Sequence, residues 1–160
     1  MTEQEVIGDI RSHYSDDDKG DFDVADFIWR HGTVIEAIMY SRLFWPDFTE
    51  SLGCVVLKDR IDTEEAKARW SKAISENMDL SEVEESFNLV ELPSDVFSRR
   101  EDTTDEQVEH LARCLVDMWR GKLQLEYPNR AFVVRVLSPD ETGGDVGITF
   151  CQKREELLTI

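Results

Sequence analysis

Apolar positions recur at three- and four-residue steps over most of this chain and alternate only near its end. Val24, Phe27 and Ile28 keep helical spacing up to Gly32. Thr33 and Glu36 then have the spacing of a capping box, in which hydroxyl and carboxylate each satisfy a free backbone N–H. Ile35, Ile38, Met39 and Leu43 form one apolar helix face, and Pro46 stops that helix. Cys54-Val55-Val56-Leu57 is short, apolar and rich in β-branched residues, which predicts a buried strand. Asp62-Thr63-Glu64-Glu65 opens a further helix whose face is Ala66, Trp70, Ile74 and Met78. Ser81-Glu82-Val83-Glu84 starts a short helix ending near Phe87. From Leu89 to Asp102, with Pro93 and the cluster Arg99-Arg100-Glu101-Asp102, no periodicity holds, and the segment reads as a connection.

The clearest pattern begins at Thr104, where Gln107 completes a second capping box. Val108, Leu111, Leu115, Met118, Trp119 and Lys122 or Leu123 follow at helical steps, and Pro128 ends the helix at or before Tyr127. Glu109 and Arg113 are a supportive i,i+4 pair. Gly121 lies inside this pattern and predicts a kink or a close approach. Residues 131–137 and 146–151 then read as two strands. The loop between them, Ser138 to Asp145, is dense in turn formers. Phe132, Val134 and Val136 share one face of the hairpin, as do Val146, Ile148 and Phe150. The expectation is an α+β fold: a small antiparallel sheet of about three strands with a C-terminal β-hairpin, covered by several helices. Cys54–Leu57 is expected to pair with the hairpin.

The block from Trp119 to Arg154 runs from Trp-Arg-Gly-Lys-Leu through Tyr-Pro-Asn-Arg-Ala-Phe-Val-Val to Gly-Ile-Thr-Phe-Cys-Gln-Lys-Arg. It resembles the end of small bacterial proteins of unknown function. The resemblance covers about the last quarter of the chain. It implies a bacterial origin and carries no activity.

Length adds a single domain to this picture, since 160 residues lie near the common domain size. A fold of this size buries roughly 68–70% of its unfolded surface and needs neither metal nor disulfide to hold it. The 41% hydrophobic content, with four Trp and eight Phe, supplies a core and argues against disorder. Cys54, Cys114 and Cys151 are odd in number and set in apolar runs, the pattern of buried thiols in a reducing compartment. Met1 to Glu5 shows no basic segment leading into an apolar stretch, so no secretion signal is expected. No apolar run approaches the roughly 20 residues that span a bilayer. A cytoplasmic protein is expected. Residues 1–22, with the short stretch Val6, Ile7 and Ile10 before the Asp16–Asp21 run, read as a partly flexible acidic segment, and 153–160 as a frayed tail.

Charge changes the picture most. The net charge is −17, and residues 1–110 carry all of it, with 28 acidic and 11 basic side chains. Residues 111–160 hold seven of each. Such a surface repels phosphate backbones and anionic membranes and attracts basic partners or cations.

No motif commits the chain to a reaction. An EF-hand register started at Asp16 puts Gly20 at position 5, Asp21 at position 6 and Phe27 at position 12, so it fails. His13, His31 and His110 share no metal-ligand spacing with one another or with the cysteines. The three cysteines lack the polar setting and neighbouring base of a nucleophile. Gly143-Gly144 leads into a strand, whereas a phosphate cradle opens a helix. Phe44-Trp45-Pro46-Asp47-Phe48 is either an aromatic recognition patch or, as the commoner outcome, a cover over the core. No metal or cofactor is therefore expected.

The leading expectation is a non-enzymatic acidic protein that masks a basic protein, in the manner of an immunity protein or antagonist. Asp16, Asp17, Asp18, Asp21, Glu82, Glu84, Glu85 and Trp45 are the expected contacts, with no direct binding to nucleic acid or membrane. A self-associating structural or regulatory module is the alternative, and a metal-dependent enzyme ranks last.

Overall fold

The computed structural model describes residues 4, 5, 7, 8, 24–77, 79–97 and 103–154. The sequence readings at Val6, Ile10, Asp16–Asp21, Met78, Arg99–Asp102 and residues 155–160 lie outside the described residues. The chain divides into two compact units, Met1–Leu43 and Phe44–Ile160. In the first, helix α1 (Val24–His31) leads through Gly32 and Thr33 into α2 (Val34–Phe44), whose last residue enters the second unit. The capping box that starts α2 is formed. The Thr33 N–H donates to Glu36 Oε2 at 3.1 Å, and the Glu36 N–H donates to Thr33 Oγ1 at 3.1 Å.

The second unit is α+β. Strands β1 (Phe48–Ser51) and β2 (Cys54–Leu57) form a two-stranded antiparallel hairpin. Its turn is made by Leu52 and Gly53, both at positive φ (55° and 78°), as a type I′ two-residue hairpin turn requires. A 3-10 turn (Lys58–Ile61) leads to α3 (Glu64–Glu76), which is capped by the Thr63 hydroxyl. Helix α4 (Leu80–Phe87) is capped by Asp79, which accepts from the Ser81 and Glu82 N–H groups. Strand β3 (Val90–Leu92) precedes the long helix α5 (Asp105–Glu126), started by the Thr104–Gln107 capping box. Strand β4 (Phe132–Leu137), the one-turn helix α6 (Pro139–Thr142) and strand β5 (Val146–Gln152) complete the order.

The C-terminal hairpin forms as the alternation predicts, with Val134 opposite Phe150 and Val136 opposite Ile148. Its third strand is a correction. Cys54–Leu57 does not join it; β2 pairs with β1, and β3 pairs with β5 to give the order β3-β5-β4. Three residues of β3 inside the segment read as a connection are too few to show alternation.

Helices cover both faces of β5, every residue of which is buried. On one face Phe150 packs edge-on against Phe48, Phe132 and Trp119 of α5. On the other, α4 approaches, and the Thr149 hydroxyl donates to the Glu85 carbonyl at 2.7 Å. Gly147 admits this packing, because a Cβ there would meet Thr142 Cγ2 at 2.8 Å and Leu89 Cδ1 at 2.9 Å. A second apolar cluster joins Cys54, Val56, Ile61, Trp70 and Val83, with Phe87 edge-on to Trp70 at 5.0 Å.

Candidate functional site

The three glutamates of α4 separate by one turn of geometry. Leu80, Val83, Glu84, Phe87 and Asn88 follow the i, i+3, i+4, i+7, i+8 stripe that faces a core. Glu84 and Asn88 are accordingly fully buried and form polar rungs between β2 and β5. Glu84 Oε1 accepts from the Val55 N–H at 2.8 Å and from Gln152 Nε2 at 2.6 Å. Its Oε2 accepts from the Gln152 N–H and from Arg154 Nη1, both at 2.8 Å. Asn88 Oδ1 accepts from the Leu57 N–H, and its Nδ2 donates to the carbonyls of Val55 and Phe150. Two side chains thus supply hydrogen bonds that a neighbouring strand would otherwise give to β2. Glu84, expected at a partner surface, is an internal tie instead, because its four contacts and its counter-charge all lie within the chain.

Glu85 is half-buried and takes Arg135 in a forked pair, Nε to Oε1 at 3.2 Å and Nη2 to Oε2 at 3.1 Å, while Arg135 also reaches Glu141 at 2.9 Å. Glu85 is thus paired within the fold, and the one guanidinium is shared between two carboxylates. Glu82, one residue before the stripe resumes, is exposed. Asp16, Asp17, Asp18 and Asp21 lie outside the described residues.

Trp45 is 43% exposed, whereas Phe48 of the same aromatic run is buried in the core. The buried ammonium of Lys122 sits 5.8 Å from the Trp45 ring centroid and donates to the carbonyls of Pro46 (2.6 Å) and Trp45 (3.4 Å). Asp47 and Glu126 balance that ammonium at 3.7 and 3.4 Å. The sequence put Lys122 or Leu123 on the apolar face of the long helix; both are buried there.

Two of the three thiols, those of Cys54 and Cys151, are held protonated. Burial pushes the Cys151 thiol up to about 12, and the Glu85 carboxylate, 3.6 Å away, adds to the effect. Burial and Glu84 also raise Cys54, against the opposing pull of Arg154. Neither is a nucleophile at neutral pH. Cys114 is half-buried, 3.7 Å from His110 Nε2 one helical turn away. Among the described residues, no group of three or more His, Cys, Asp or Glu is placed to hold a metal ion. No described helix is long and apolar enough to cross a membrane.

The largest departure from the sequence reading is on α1 and α2. Ile35, Ile38 and Met39, read from their spacing as part of one apolar helix face, are exposed, and neither helix has a buried residue. Trp29 is 82%, Val34 77% and Ile35 71% exposed, with Ile28 and Met39 beside them above half. α1 is amphipathic and α2 is apolar around most of its circumference, and spacing alone does not report what covers either. So many exposed apolar side chains on two successive helices are seldom seen in soluble proteins except at interaction sites. Comparison of the chain with known protein families, with curated proteins and with solved structures finds no match in any of the three.

Proposed function

We propose that this chain is a non-enzymatic protein-binding protein whose partner is a basic protein. One observation carries the reading: the apolar side chains of α1 and α2, Trp29, Val34, Ile35 and Met39 foremost, face solvent. Trp and Met are among the residues favoured in interface cores, and a rigid helix face presents them at low entropic cost. Charge selects the partner's chemistry. Residues 1–43 hold ten acidic and four basic side chains, a net −6, within a chain of net −17. A cationic surface is drawn to that field, while nucleic acid and anionic lipid are repelled. Asp16, Asp17, Asp18, Asp21 and Glu82 contribute to the field. Glu84 and Glu85 are spent inside the fold.

The test is affinity capture from lysate at low salt on two columns, one bearing the native chain and one the Trp29→Glu/Ile35→Glu variant. Both changes fall on exposed positions, so the fold survives them. The expected result is one basic protein, released by a salt step from the first column and absent from the second. Equal retention on both columns, or a captured protein that is acidic, overturns the reading. A salt-resistant dimer of the native chain in sedimentation also overturns it and makes self-association the use of this face.

A further inference from the structure

On the second unit, Arg60 of the 3-10 turn, Arg69 of α3, and Ser86, Phe87 and Leu89 at the end of α4 line an open hollow of about 280 Å³. Two arginines lining one recess are unexpected in a chain of net charge −17. Arg60 is fixed there: its Nη2 donates to the Leu89 carbonyl at 2.7 Å and lies 3.6 Å from Asp95. Arg69 has no ion pair or hydrogen bond among the described residues, and the Ser86 hydroxyl has none either. Like charges gathered in one recess repel, and an anion between them relieves that repulsion. Phe87, packed on buried Trp70, gives the hollow an apolar wall of fixed position.

We infer that this hollow binds the oxyanion group of a small molecule, a phosphate or a carboxylate. Arg69 supplies the charge-assisted fork, Arg60 a second cation held in place, and Ser86 a hydroxyl donor. The recess takes the charged group with a few attached atoms, near the lower size limit of small-molecule sites. None of its residues is among the apolar side chains of α1 and α2, so its failure leaves the protein-binding reading untouched.

The test is calorimetric titration of the full chain at constant ionic strength with inorganic phosphate and, separately, with acetate. Amide spectra locate the site through the Ser86 and Phe87 signals. Saturable binding of either probe that moves those two signals is expected, and the tighter probe distinguishes phosphate from carboxylate chemistry. Arg69→Ala should weaken the tighter probe by about tenfold or more, the loss of one charge-assisted fork. Asp95→Asn removes the carboxylate that competes for Arg60 and should tighten binding by about threefold. Lys67→Ala is the control, since Lys67 lies on the same helix but pairs with Glu64 at 2.7 Å. No saturable binding of either probe, or equal losses with Lys67→Ala and Arg69→Ala, overturns the proposal.

Discussion

Glu84 shows how much one side chain can hold. All four of its partners are donors, so replacing either carboxylate oxygen by an amide NH₂ points donor at donor. Glu84→Gln keeps the shape, yet it strands a backbone N–H and leaves Arg154 without its counter-charge. Breaking a buried pair of this kind costs about 3 kcal/mol. Urea unfolding should show that loss with an unchanged slope, and a loss below about 1 kcal/mol would mean that Glu84 is not the tie between β2 and β5. Cys151 gives a pH signature. Its folded thiol lies at about 12 against an ordinary 9.0. Below pH 9 both states keep the proton and the contribution to stability is complete. As pH rises from 9 toward 12 only the unfolded chain releases it, so stability falls by up to about 1.4 kcal/mol per pH unit. Cys151→Ala starts less stable at pH 7 but should lose stability more slowly across that window. Parallel pH profiles for the two proteins would contradict the assignment.

Individual elements differ in how openly the sequence announces them. Both capping boxes and the C-terminal hairpin were legible because their signals are local: Thr33 with Glu36, Thr104 with Gln107, alternation across a turn-rich loop. The partner of Cys54–Leu57 was not. After the buried Phe48, Thr49-Glu50-Ser51 is polar and partly exposed, so β1 carries no strand pattern of its own, and β3 is only three residues long. The buried role of Glu84 was readable in principle from the Leu80, Val83, Phe87 stripe, but the run Glu82-Val83-Glu84-Glu85 resembles a solvated face. Its partners Gln152 and Arg154 lie 68 and 70 residues away, beyond any local signal. The Arg60–Arg69 hollow draws on three elements for the same reason. Gly121 gives a further test within one element. Sequence predicted a kink or a close approach, but a Cβ there meets nothing within 4 Å. Gly121→Ala should therefore stabilise the protein by about 0.5–1 kcal/mol, seen as a higher melting temperature. A decrease would show that α5 needs the glycine.

For the chain as a whole, two properties set the behaviour: a charge of −17 drawn from its first 110 residues, and an apolar helix face at Trp29, Ile35 and Met39 open to solvent. In the association proposed above, they act on different steps. Long-range field governs encounter and is screened by salt, because the Debye length falls from about 10 Å at 0.1 M to about 3 Å at 1 M. Desolvation of the apolar face governs how long the complex lasts. Residues 111–160 contribute no net charge and two of the three strands of the larger sheet, while residues 48–92 supply buried core as well as part of the acidic excess. The decisive measurement is stopped-flow association of the native chain with the captured basic protein, from about 50 mM to 500 mM salt. The account predicts an on-rate falling by about tenfold or more across that range, with Trp29→Glu/Ile35→Glu raising the off-rate. An on-rate constant within about twofold would contradict electrostatic recognition of a basic partner.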